Sequence, residues 1–166
     1  MTSNTKQLDD LFHDTLKDMY FAEKKILSTL PKMAKVAVSP KLKMAFESHK
    51  AETEGHVKRL EEVFGLIDAK PQAKTCDAMM GLVKEGEAII EEYKGSPALD
   101  AALLAVAQAV EHYEMARYGA LKSWADELGM HDAAAILETT LQEEKKTDAA
   151  LSALAISVIN IEAEAA

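Results

Sequence analysis

Cysteine is all but missing from this chain. Cys76 stands alone, which rules out an intrachain disulfide and a cysteine-based zinc site and leads us to expect a reducing compartment. Long apolar runs are missing too: although 48% of the 166 residues are apolar, no run approaches the roughly 20 residues of a membrane-spanning helix. A protein with no membrane association is expected. Residues 1–7 lack the basic start, apolar middle and small-residue cleavage site of a signal peptide, so the expectation is a soluble, cytoplasmic protein. Basic residues are outnumbered, with 19 Lys and Arg against 28 Asp and Glu and a formal charge of -9. Nucleic acid, whose phosphates demand a basic surface, is thereby disfavoured and cations become the expected partners. Acidity alone also serves solubility, so position must decide.

Proline and glycine are scarce, at four and seven residues. Between them lie long stretches rich in Ala, Leu, Glu and Lys with helical periodicity. The spacing predicts helices over about residues 5–37, 40–66, 97–128 and 132–159. Ser39-Pro40 and Ser96-Pro97 each offer a serine N-cap followed by proline at the first helical position. Gly95 and Gly129 stand where left-handed C-terminal caps are expected. The stretch between the second and third of these helices is too long for a simple loop, and residues 76–93 within it read as a crossover helix. One helical hairpin, a long connection and a second hairpin is the connectivity of ferritin-like four-helix bundles. The whole chain, 1–166, is read as one all-α domain of that kind.

The informative residues are charged side chains standing on apolar stripes, counted in steps of three and four. On the first helix Leu16, Tyr20, Glu23, Leu27 and Leu30 share a face. On the second, Leu42, Ala45, His49, Glu52, His56 and Leu60 align, so a carboxylate is flanked by imidazoles. The third long helix carries Leu104, Ala107, Glu111, Met115 and Tyr118, with Glu114 one turn from Glu111, and the last carries Leu137, Leu141, Glu144, Asp148 and Leu151. An unpaired carboxylate in an apolar core costs several kcal/mol, and Glu23, Glu52, Glu111 and Glu144 need a common explanation. A pair of divalent cations supplies one. Mutual protonation serves one buried acid better than four, and a buried ion-pair network with Lys50 or Arg117 is the other alternative. A carboxylate-rich set with one imidazole favours Fe or Mn over Cu or structural Zn. Because the last helix offers only Thr147 and Asp148 beside Glu144, two unequal metal positions are expected, the one near Glu144 all-oxygen.

Several stretches together resemble the YciE/YciF-like family of ferritin-like bacterial proteins. They are Asp18-Met-Tyr-Phe-Ala-Glu23-Lys and Leu30-Pro-Lys-Met-Ala34, then Ala45-Phe-x-x-His49-x-x-Glu52-Thr53. Val110-Glu-His-Tyr-Glu114 with Tyr118-Gly, and Thr140-Leu-x-Glu-Glu-Lys-x-Thr-Asp148, complete the set. The resemblance covers nearly the whole chain and implies a ferritin-like bundle with a di-iron-type site, a link to bacterial stress responses, and a homodimer. It places the family's His-x-x-Glu element on His49 and Glu52, which ranks His49 above His56 as the nitrogen ligand. It also makes Glu111 a bridge and Glu114 a terminal ligand. The implied ligand set is Glu23, His49, Glu52, Glu111, Glu114, Glu144 and Asp148, holding two iron ions, with manganese as the alternative.

No residue is assigned a catalytic role. The leading expectation is a stress-associated di-iron protein that oxidises Fe(II) or reduces O₂ or peroxide. Manganese-catalase-like disproportionation is a second enzymatic reading, and a non-catalytic protein whose metal only ties the helices together is the alternative. Mineral storage would need a closed cage. Tyr20 and Tyr113 are read as core packing, with a hydrogen bond to a ligand as the alternative. His13 and His112 are read as surface or capping residues, His131 as exposed, Cys76 as inert, and residues 85–92 as a solvated face.

Overall fold

The computed structural model describes residues 5–165. Six α-helices are present and no strand is found among the described residues: α1 (Leu8–Val36), α2 (Pro40–Leu66), α3 (Asp77–Glu92), α4 (Leu99–Glu127), α5 (His131–Leu154) and α6 (Asn160–Glu164). A π-helical turn, Ala155–Ile159, joins the last two. The protein is therefore an all-α, ferritin-like bundle of two helical hairpins, α1–α2 and α4–α5, with α3 as the expected crossover helix. The hairpins pack so that α2 meets α5 and α1 meets α4, while α3 lies mainly on α4 with a smaller contact to α1.

Local chemistry accounts for most helix ends and corrects three expectations. α1 begins at Leu8 rather than near residue 5, because the Asp10 carboxylate accepts the backbone N–H of Gln7 at 3.0 Å and closes the first turn there. α4 begins at Leu99, two residues later than expected. The Ser96 hydroxyl accepts the Ala98 N–H at 3.2 Å and the Ser96 carbonyl accepts that of Leu99 at 3.1 Å, so Ser96-Pro97 forms a turn ahead of the helix. The last helix does not run uniformly to residue 159. Its regular part stops at Leu154 and the π turn carries the buried series Leu151, Ala155, Ile159 onward. Gly95 and Gly129 adopt the expected left-handed conformation, both at φ 75°.

Pro40 occupies the first turn of α2 after an extended Ser39, as expected, but the serine hydroxyl makes no capping bond. Asp100 of α4 instead holds the residues just ahead of the helix. That carboxylate accepts from the N–H of Val38 at 2.8 Å and of Ser39 at 2.6 Å, so α4 fastens the α1–α2 turn. At the other end of the bundle the connection after α2 is tied down by Lys74 N–H donating to the Lys17 carbonyl at 3.1 Å. The core between these ends includes Leu16, Met19, Leu60, Leu103, Leu121 and Leu137, all essentially buried, each contributing about 1.5–3 kcal/mol of transfer free energy. No helix among the described residues is long and apolar enough to cross a membrane.

Candidate metal centre

Six ionisable side chains from four helices meet in the middle of this core. Glu23, His49, His56, Glu111, Glu114 and Glu144 are each at most 6% exposed. They form two groups that share Glu144: His49, Glu111, Glu114 and Glu144 in one, and Glu23, His56 and Glu144 in the other. Within each group, one candidate ligand atom per residue lies within 4.8 Å of the rest. His49 Nε2 is 3.2 Å from Glu111 Oε1, and His56 Nδ1 is 2.9 Å from Glu144 Oε1 and 3.4 Å from Glu23 Oε1.

The centre is rich in acceptors and poor in donors. Glu23 Oε2, His49 Nδ1, Glu111 Oε2, Glu144 Oε2 and both oxygens of Glu114 are buried without a hydrogen-bond partner, and His56 Nδ1 has only the Glu144 and Glu23 carboxylates beside it. Buried polar atoms in native proteins are paired as a rule, and here the orphans all belong to the six residues that converge. No lysine or arginine among the described residues forms an ion pair with Glu23, Glu111, Glu114 or Glu144; Lys50 bonds to Glu54 and Arg117 to Tyr113. The ion-pair network considered for this region is therefore absent, and what the donor set fits is a cation with oxygen and imidazole ligands.

Protons take the cation's place in the metal-free centre. Burial, reinforced by Glu144 and Glu23, pushes the Glu111 carboxyl up to about 10. Glu114 rises well above the ordinary range through burial and the charges of Glu144, Glu23 and Glu111. Burial by itself would depress His56, but the Glu144 and Glu23 carboxylates beside it outweigh that and raise it to about 11. Burial likewise opposes ionisation of Glu144, and the neighbouring His56 overcomes it and holds the carboxyl below its usual value. The opposite shifts pair the Glu144 carboxylate with the His56 ring and favour the neutral forms of Glu111 and Glu114.

Three features are outside the expected ligand pattern. Glu52, expected to be the α2 carboxylate, is 38% exposed at the side chain and belongs to neither group. It stands 3.7 Å from His49 Nδ1 and accepts from Thr147 Oγ1 at 3.4 Å. Asp148 also stays outside, turned toward α4, where it accepts from Gln108 Nε2 at 3.0 Å and lies 3.3 Å from His112 Nε2. Third, the side near Glu144 is not all-oxygen. His56, ranked below His49, reaches Glu144 and Glu23 directly, so each group contains one imidazole and α2 contributes both.

The residues supporting these six were largely missed from sequence. The Tyr118 hydroxyl, fully buried, donates a short hydrogen bond to Glu23 Oε1. His56 Nε2 lies 3.0 Å from Glu143 Oε2, and Glu143 is held by Arg59, whose Nε also donates to Thr140 Oγ1 at 2.8 Å. Nothing in the sequence distinguished Glu143 from a surface acid; Tyr118 stood on the right stripe and in the family motif but was given no role there. Tyr20 donates to Glu61 at 2.8 Å and Tyr113 to Asp18 at 2.9 Å, so neither bonds to a candidate ligand. Cys76 is buried against the Tyr113 hydroxyl at 3.0 Å, and burial raises its thiol, which suits the inert reading.

Comparison with known proteins agrees with this architecture. The sequence pattern of DUF892, described as a domain of unknown function, matches residues 7–164. Protein YciF of Escherichia coli (strain K12) is 42% identical over 162 residues, spanning 97% of this chain and 98% of its own. The crystal structure of the E. coli stress protein YciF superposes with a TM-score of 0.89 at 41% identity, covering 94% of this chain and 99% of that one. YcfI from Rhodopseudomonas palustris gives 0.87 at 41% identity, covering 92% and 97%.

Proposed function

We propose, for a chain that belongs to the DUF892 family, the role of a stress-associated metalloprotein with two iron-class ions held by Glu23, His49, His56, Glu111, Glu114 and Glu144. The observation that carries this reading is the concentration of unpartnered buried donor atoms on these residues. The stress association follows the description of the similar E. coli protein.

A bound pair of Fe or Mn ions would supply electrons to O₂ or peroxide, the chemistry such oxygen- and nitrogen-liganded pairs support. The chain's own residues provide the rest. Glu144, common to both groups, is the carboxylate offered to both ions. Tyr118 fixes the orientation of Glu23, and Glu143 with Arg59 fixes the ring of His56 by engaging the nitrogen that faces away from the centre. Glu111 and Glu114 would have to be ionised to hold a metal, which would couple loading to pH. Glu52 and Asp148 stand outside the proposed set.

Protein isolated without chelator should contain about two ions per chain, as expected of a di-metal carboxylate bundle. The iron-loaded form should consume O₂ or H₂O₂ faster than free Fe(II) in the same buffer, and Glu144→Ala should abolish that excess. Two ions bound with no excess consumption would instead support a metal that only ties the helices together. A protein that takes up no ion sinks both readings. A homodimer, as the family resemblance implies, is part of the proposal, and sedimentation measures its mass; a cytoplasmic location is carried by the lone cysteine and the absence of a signal-peptide pattern in residues 1–7.

A further inference from the structure

The four-helix core is not filled beyond the metal centre. A cavity of about 280 Å³ extends from His49 and Glu111 toward the α1–α2 turn and is walled by all five long helices. Leu30 and Met33 of α1, Phe46 of α2, Leu103 and Ala107 of α4 and Leu151 of α5 make its walls apolar, and Val83 of α3 closes one side. Exposed Ser48 and Lys146 mark one rim, exposed Lys32 and Glu87 the other.

We infer that this cavity binds a medium-chain aliphatic molecule, its tail among Leu30, Met33, Leu103 and Leu151 and an uncharged oxygen head group against His49 and Glu111. Size, shape and polarity point the same way. An apolar cavity of about 150 Å³ stays dry and takes up benzene; in proportion, 280 Å³ holds roughly a dozen non-hydrogen atoms. Leu103 and Glu111, both on the cavity wall, are separated by about 12 Å along α4 at helical rise, which favours a linear tail over a compact ring system. Polar groups gather at one end of the lining: His49, Glu52, Glu111 and Thr147. Two of these residues, His49 and Glu111, are 6% and 1% exposed and each carries a polar atom without a hydrogen-bond partner, Nδ1 and Oε2. A hydroxyl both donates and accepts and can satisfy an orphan of either kind. A carboxylate head would meet the Glu52 carboxylate with no buried lysine or arginine in the lining to receive it, since Lys32 and Lys146 stand at the rims. The inference rests on the metal reading for the meaning of that polar end, which would set the head group beside the ions, and not for the tail.

The test is calorimetric titration of 1-decanol and of decanoate into the full chain, metal-free and loaded with Co(II), with the visible spectrum of the Co(II) form followed in parallel. One decanol should bind per chain in both forms, decanoate should bind the metal-free form about tenfold more weakly, and decanol should change the Co(II) spectrum. Ala107→Phe, which fills the cavity one turn from Glu111, should weaken decanol by about tenfold or more while Co(II) still binds. If that variant does not fold, Ala107→Leu replaces it with the same expectation in smaller degree. No saturable decanol binding, equal binding by wild type and a folded Ala107 variant, equal binding of decanoate, or an unchanged Co(II) spectrum overturns the inference. Decanol binding without Co(II) binding leaves the cavity assignment standing and removes the metal reading instead.

Discussion

At the residue scale, the candidate centre was legible wherever a charge broke an apolar stripe. Glu23, Glu111, Glu114 and Glu144 were found that way because a buried carboxylate is costly enough to demand a reason. On α2 the structure brings His49 and His56 into the two groups and leaves Glu52 outside them. His49 and His56 are seven residues apart and return to within about 20° of one azimuth, whereas Glu52, three residues from His49, lies about 60° away. Heptad spacing pairs the two imidazoles and turns the carboxylate toward solvent. Tyr118 was not legible, since its phenol matters through a contact 95 residues away. Tyr118→Phe keeps the ring and removes the hydrogen bond to Glu23, and metal affinity should drop by about 10–100-fold with helicity unchanged. Competition against a chelator of known affinity, with circular dichroism as the control, measures both.

At the element scale, the helices were legible from periodicity and sparse punctuation, and α2 was expected at its observed bounds. Ends depending on distant partners were not. Ser39 was read as a cap because serine before proline starts many helices, yet its hydroxyl makes no capping bond and the turn is held through the N–H groups of Val38 and Ser39 by Asp100, 61 residues from Ser39 in sequence. The π turn after Leu154 has no proline or glycine to announce it. Asp100→Ala should leave the N–H groups of Val38 and Ser39 without their charged acceptor and lower stability by about 1.5–3 kcal/mol. For a chain of this size each kcal/mol corresponds to about 2–4 °C, so the melting temperature should fall by several degrees while metal content stays constant. Asp100→Asn, which retains one acceptor oxygen, should recover part of the loss.

At the scale of the whole molecule, the buried centre makes stability depend on pH in a direction set by its raised groups. Glu111 moves from the ordinary 4.5 to about 10 and His56 from 6.5 to about 11. Both bind protons more tightly when folded, so their contribution is complete below the ordinary values and is lost as pH climbs through the raised ones. Glu144 and Glu52, whose values are lowered, act oppositely, and only in acid. Metal-free protein should therefore melt at lower temperature at pH 9 than at pH 6, and added Mn(II) should reverse the order by replacing the lost protons; scanning calorimetry at the two values checks this. The crossover helix adds a further consequence. α3 has 16 residues and packs mainly on α4 with a smaller contact to α1, and most of a helix's stability comes from such packing. It can unfold locally while both hairpins persist, and its backbone amides should exchange with deuterium faster than those of α4 and α5. Since α3 forms one wall of the cavity, the rate of that exchange would set a lower limit on how often α3 opens, because not every opening ends in exchange.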